Sequence, residues 1–265
     1  MHQVKKYLAL AVLFSALATG VAQAQTAPAT APVAAPAAAA PEPASPLTFN
    51  VGVWSQYIFR GLSQSDYKPA LQGGADFAHD SGLYVGVWGS NINWLRNFGI
   101  SSGRVEIDIY GGWKKTFADD YTIDVGFLRY QYPGSVHQGF VNPNTNEVYT
   151  AASWKFVTLK YSHALSNAFG TAESKHTYYL DLTAAIPIAE TWTLTLHAAR
   201  QNYRGPSADL ASYHDFKAEI AKDFGNGLSA GAGVTLVDAN KEFYTPAGKR
   251  SIAKDTSYVF VKYNF

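Results

Sequence analysis

The chain has no cysteine among its 265 residues, which excludes disulfide scaffolds and thiolate metal sites. Charge is scarce too: Asp, Glu, Lys and Arg make up 15%, below the roughly 25% of an ordinary soluble domain. Neither sign dominates, since the formal charge is +1, so the basic face of a nucleic-acid binder is missing. Past the N-terminus no apolar run reaches the ~20 residues of a spanning helix. That excludes a helical membrane protein but not a transmembrane barrel, whose alternating strands are only mildly hydrophobic on average. The mean hydropathy is −0.11. Aromatic side chains are plentiful, with 17 Tyr, 15 Phe and 6 Trp, and glycine reaches 22.

The N-terminus reads as an export signal. Lys5 and Lys6 precede the apolar run Tyr7 to Leu17, and Ala22-Gln23-Ala24 supplies small residues for cleavage after Ala24. No cysteine follows that point, so a lipoprotein is not expected. Removal of residues 1–24 takes Lys5 and Lys6 and changes the formal charge from +1 to −1. Residues 25–46 are almost wholly Ala, Pro and Thr. Such a stretch lacks the bulk to form a core and suits an extended periplasmic leader. The folded domain is expected over residues 47–265.

From Leu47 the dominant period is two, the signature of strands with unlike faces. Leu47, Phe49, Val51, Val53, Tyr57 and Phe59 share one face, and Asn50, Gln56 and Arg60 the other. Val105, Ile107, Ile109 and Trp113 alternate with Glu106, Asp108, Tyr110 and Lys114. The same reading gives twelve segments: 47–60, 70–79, 83–93, 104–117, 121–132, 147–154, 157–166, 177–188, 191–203, 214–224, 228–239 and 256–265. Short connections alternate with long polar ones. The short ones are Asp80-Ser81-Gly82, Ala118-Asp119-Asp120, Lys155-Phe156, Ala189-Glu190 and Gly225-Asn226-Gly227. An up-and-down chain built this way gathers its long loops at one end and its tight turns at the other, as outer-membrane barrels do. The weakest turn is Lys155-Phe156, which carries no Gly or Pro; without it the strand count would be odd. The expected fold is an all-β, up-and-down antiparallel transmembrane barrel of about twelve strands.

Aromatics recur on the apolar face near the short-turn end: Phe49, Phe77, Phe117, Tyr121, Trp154, Trp192, Phe224 and Phe265. Tyr57, Phe59 and Tyr178 are expected near the other end, which would complete the paired girdles of a membrane barrel. The last strand closes on Phe265 behind Val259, Val261 and Tyr263. That pattern resembles the signal by which bacterial barrels present themselves to the assembly machinery, an expected partner together with outer-membrane lipid.

Tyr57-Ile58-Phe59-Arg60-Gly61-Leu62-Ser63-Gln64-Ser65, followed by Pro69-Ala70-Leu71-Gln72-Gly73-Gly74, resembles the opening of the TorF-type porin family, also called the Gcw_chp family. Gly82 to Asn91, Glu106 to Trp113, Glu147-Val148-Tyr149, Lys160-Tyr161-Ser162 and Tyr178 to Leu182 extend the likeness over 47–265. The resemblance implies a proteobacterial outer-membrane pore and supplies no catalytic residues. The Ala/Pro leader is not part of the family pattern.

With the apolar stripe toward lipid, the opposite stripe faces the lumen. Its ionisable residues are Arg60, Asp76, Glu106, Asp108, Lys114, Asp124, Lys160, Asp181, His197, Asp215, Lys217, Glu219 and Lys262. Arg or Lys at a lipid-facing midplane position would cost about 2–4 kcal/mol, so these positions need water or mutual pairing. The reading is a narrow, charged pore lining for small solutes. A salt-bridged plug, giving a structural or adhesive barrel, is the alternative. The signs are mixed, and the basic ladder that acidic oligosaccharides would need is absent. Tyr84, Trp88, Tyr110, Tyr130 and Tyr179 share the lumen parity.

Lipid hydrolysis is a third possibility, since His163 and Ser166 stand near an outer strand end. Residues three apart on a strand point to opposite faces, and no carboxylate is evident beside them. No enzyme activity, cofactor or nucleic-acid partner is expected, and the seven histidines, which show no close paired spacing, suggest no metal site. The glycine pairs Gly73-Gly74 and Gly111-Gly112 lie within strands, where bends or close packing are expected.

Overall fold

The computed structural model describes residues 45–118 and 120–265. The signal, nearly all of the leader, and Asp119 of the second short turn lie outside the described residues. The rest folds as a closed antiparallel barrel of twelve strands. In chain order these are β1 (Leu47–Trp54), β4 (Ala70–Ala78), β5 (Leu83–Asn91), β6 (Val105–Phe117), β7 (Tyr121–Gln131) and β8 (Thr145–Trp154). They continue as β9 (Val157–Ala164), β10 (Tyr178–Ala189), β11 (Trp192–Asn202), β12 (Tyr213–Gly225), β13 (Leu228–Val237) and β14 (Thr256–Asn264). The two remaining strands, β2 (Ile58–Phe59) and β3 (Leu62–Ser63), form a small hairpin apart from the wall.

Each strand pairs with its sequence neighbour, and β14 returns to β1 with Asn50 opposite Asn264 and Trp54 opposite Phe260. Phe265 finishes the seam through its main chain: Phe49 N–H donates to its carbonyl at 2.8 Å and its own N–H donates to Phe49 O at 3.0 Å. Closure leaves no unpaired edge, the condition for a sheet surrounded by lipid. The turn at Lys155-Phe156 holds, with Trp154 opposite Val157 and Lys155 in the left-handed region at φ 52°.

The parity reading describes the wall well. Val51, Leu71, Val85, Ile109, Leu182, Val234 and Val259 all point outward and are exposed, Leu71 by 61% and Val259 by 58%. All eight short-turn-end aromatics are exposed on this face. Inward positions carry large rings laid over small ones. A Cβ on Gly86 would meet the Tyr110 ring at 2.4 Å, and one on Gly126 the Tyr149 ring at 2.5 Å. Gly112 faces the Tyr84 hydroxyl in the same way, and Gly233 the Tyr258 ring. These four strand glycines are therefore seats for aromatic rings of adjacent strands.

Two expectations need correction. The segment 147–154 begins earlier, at Thr145. The segment 47–60 is not one strand: β1 ends at Trp54 and the chain turns into the barrel. The Gln56 side-chain amide donates to Thr256 Oγ1 at 2.8 Å and Ser257 O at 2.7 Å, taking the place of further pairing with β14. Tyr57 and Phe59 consequently leave the outer girdle and lie inside. Their apolar parity continued that of β1, but buried carboxylate and ring partners draw them inward.

Candidate functional site: the lumen and its crossing strap

Residues 55–69 form a strap folded into the long-loop half of the lumen. Its base is knit locally. Tyr57 N–H donates to Ser65 Oγ at 2.9 Å, Gln64 N–H to Tyr57 O at 2.8 Å, and Tyr67 N–H to Ser63 Oγ at 2.9 Å. The tip is Arg60-Gly61. Arg60 has φ 46°, and Gly61, at φ 77°, lies so close to β12 that a Cβ there would stand 2.6 Å from Asp215 Cβ. Only glycine tolerates both the left-handed conformation and that approach.

Arg60 reaches several walls at once. Its Nη1 donates to Glu147 Oε1 at 3.0 Å and to Gln201 Oε1 at 2.9 Å. Its Nη2 donates to Glu147 Oε2 at 2.8 Å and to Tyr130 OH at 3.3 Å. The guanidinium carbon stands 4.3 Å from the Tyr179 ring centre and 4.9 Å from that of Phe59. The Arg60 and Glu147 side chains are 7% and 2% exposed, so the bidentate pair is effectively dry. A second anchor is Tyr57 OH, which donates to buried Glu106 at 2.6 Å.

The strap divides the lumen. Toward the short turns lies a chamber of about 220 Å³ lined by Arg60, Asp108, Lys160, Asp181, Asp215, Lys217, Glu219 and Lys262, with His197. On the other side is a vestibule of about 350 Å³, rich in aromatic rings, whose floor is Phe59 and Arg60. Glu106 is tied to the strap and lines neither space. Asp76 accepts from Tyr110 OH at 2.5 Å, and Asp124 from Tyr84 OH at 2.6 Å. Lys114 is exposed, opposite Asp124 in register.

Within the chamber opposite charges are interleaved. His197 sits between two carboxylates, Nδ1 3.3 Å from Asp181 Oδ2 and Nε2 2.9 Å from Asp215 Oδ1. Lys160 Nζ lies 4.0 Å over the Tyr149 ring, and Lys217 Nζ is 3.9 Å from Glu219. Asp108 differs: its Oδ1 is buried and has no hydrogen-bond partner among the described residues.

The expected list omitted Glu147, Gln201 and the ring of Phe169. Glu147 shares parity with Tyr149, which was the available signal, but it stood at a segment edge. His197 was visible as a lumen residue; its carboxylate neighbours come from cross-strand register. Outside the wall, His163 and Ser166 do not meet as a catalytic pair. His163 contacts Tyr161 OH and His176 Nδ1, each at 3.0 Å. Ser166 Oγ instead donates to Asn167 O and accepts from Asn146 N–H. No cluster of three or more potential metal ligands occurs among the described residues.

At the long-loop end Arg250 clasps the strap base. Its Nε is 3.2 Å from Asp66 Oδ1, a second nitrogen donates to Asp66 O, and Lys68 Nζ is 3.3 Å from Asp66 Oδ2. Burial alone would raise the Asp66 pKa, but the hydrogen bonds and charges of Arg250 and Lys68 outweigh it and hold the carboxyl below its ordinary value. Burial pushes the neighbouring Tyr67 hydroxyl up to about 12.

Residues 38–265 match the model of a family described as "Bacterial protein of unknown function (Gcw_chp)", and the chain belongs to that family. No curated protein matches the sequence. Among solved structures the barrel is similar to the KdgM porin, with 11% identity, a TM-score of 0.51, and coverage of 83% of this chain and 98% of that one. It is also similar to the NanC porin, with 10% identity, a TM-score of 0.52, and coverage of 82% and 98%. At these identities the likeness concerns the fold.

Proposed function

We propose that this member of the Gcw_chp family is an outer-membrane porin that passes small solutes through a narrow charged lumen constricted at Arg60. The carrying observation is the combination of an apolar exterior with a charged inner chamber and an outer vestibule that meet at Phe59 and Arg60. An exposed apolar wall of this extent suits lipid, and charge on the inward parity suits water. The porin folds of KdgM and NanC support the same reading. Export through a cleaved signal, and delivery to the assembly machinery through the Phe265 strand, belong to this proposal. One KdgM structure is described as a complex with disordered oligogalacturonate. An acidic oligosaccharide does not suit the present chamber, where Lys160, Lys217 and His197 each lie near carboxylates or rings. Balanced charge favours weak ion selectivity and small neutral solutes.

The dry Arg60–Glu147 pair favours a second reading, a barrel closed by its own strap and serving a structural or adhesive role. Planar-bilayer recording of purified protein decides between them. Discrete current steps, with a modest reversal potential that shrinks as salt passes the ~10 Å Debye length of 0.1 M, support the pore. Normal insertion without current at any salt supports the closed barrel. Phospholipid and lipopolysaccharide turnover by the same preparation would refute the non-enzymatic assignment.

A further inference from the structure

We infer that the outer vestibule is a binding site for a small, uncharged aromatic molecule. Every long connection contributes to its wall, with Phe59, Trp94, Phe140, Phe169, Tyr203 and Phe243 each from a different one. Phe98 and Phe169 pack against both hydrophobic clusters of the long-loop half, so the cavity sits where the two clusters meet. A space of about 350 Å³ exceeds the ~150 Å³ that takes up benzene in an apolar cavity, and one or two fused rings fit it.

The polar groups argue against other ligands. Among the described residues Arg60 is the only charged one in the lining, and Glu147 already holds it at both terminal nitrogens. An anion would have to break that dry pair, and a cation would find no carboxylate in the lining. A sugar needs many free donors and acceptors, because desolvated hydroxyls without partners are costly. Here Gln64 Nε2 donates to Leu62 O, Gln201 serves Arg60 and Tyr178 O, and Tyr244 OH donates to Ala211 O. Beyond the hydroxyls of Thr171, Tyr203, Ser207 and Tyr213 the lining offers ring faces and edges with a few aliphatic groups, and rings recognise other rings.

Passage of such a molecule through the lumen rests on the pore reading above; binding does not. Isothermal titration of the full-length protein in detergent with indole as the probe should give one saturable site. Glucose and indole-3-acetate should bind at least tenfold more weakly. Ala172 is exposed at the wall, so Ala172→Trp should fill the space and weaken indole binding at least tenfold without removing any packing. Phe140 is 47% exposed, and Phe140→Ala should weaken binding several-fold with the fold intact. Absence of saturable binding overturns the assignment. So does binding that both variants leave unchanged, which would place indole in the detergent belt, or equal affinity for glucose. A conducting protein that ignores indole defeats this assignment alone, and one that binds indole without conducting defeats the pore alone.

Discussion

Removing either member of the Arg60–Glu147 pair should open the lumen. The two groups share parallel hydrogen bonds at 3.0 and 2.8 Å, with side chains 7% and 2% exposed. Deleting one partner of a buried ion pair typically costs about 3–5 kcal/mol, because the other charge is left without compensation. The wall strands have their own ladders, so the strain is relieved most easily by withdrawing the strap. At 1.4 kcal/mol per tenfold, the lower figure shifts the balance between folded-in and withdrawn strap by more than about 100-fold. Arg60→Met and Glu147→Gln should therefore each raise open-state occupancy and conductance in single-channel records, and each should expose the strap to protease. The double variant leaves no orphan charge and keeps comparable bulk. It should return most of the way to wild-type conductance, since Tyr57 and Gln56 still anchor the strap. Additive effects of the two substitutions, or single variants with wild-type conductance, would refute the strap as the constriction.

Asp108→Asn should shift the reversal potential toward anions while leaving thermal stability equal or higher, because Asp108 Oδ1 is buried without a partner; a loss of stability would show that the carboxylate is structurally satisfied. Acidification should loosen the Arg250 clasp. The folded-state pKa of Asp66 is depressed, so its stabilisation is present above the ordinary value of about 3.9 and is lost as pH falls through the lower folded value. Hydrogen exchange in residues 240–255 should rise below about pH 4 in the wild type, and that rise should be absent from Asp66→Asn. Deleting Phe265 removes both main-chain bonds to Phe49 and their ring stack at 5.7 Å, and membrane-assembled protein should fall; unchanged levels would remove its role as an assembly signal.

The wall was legible because lipid and water impose opposite demands on alternate residues. Val259, Val261 and Tyr263 can be assigned outward, and Lys262 inward, with no knowledge of their neighbours. Even the plain Lys155-Phe156 turn followed, since an odd strand count would separate the ends of the domain. The strap was not legible for the same reason. Tyr57 and Phe59 extend the apolar parity of β1, and nothing local distinguishes a ring bound for lipid from one bound for Glu106 or Tyr130. Its path depends on partners 49 to 201 residues away along the chain. The His197 network was half legible: parity placed each member inside, but only register between β10, β11 and β12 makes them neighbours.

The rings seated on Gly86, Gly112, Gly126 and Gly233 bear on how the bore of this tube is set. A tyrosine standing upright on a narrow barrel wall would project toward the axis and choke it. Laid along the wall over a neighbour without a side chain, the same ring thickens the lining and turns its hydroxyl to a carboxylate, as Tyr110 does to Asp76 and Tyr258 to Glu219. The calibre of the inner half is thus governed by missing methyl groups. One alanine at such a seat would tip a whole ring into the passage and release its carboxylate, so width and fixed charge would change together at a position that carries neither.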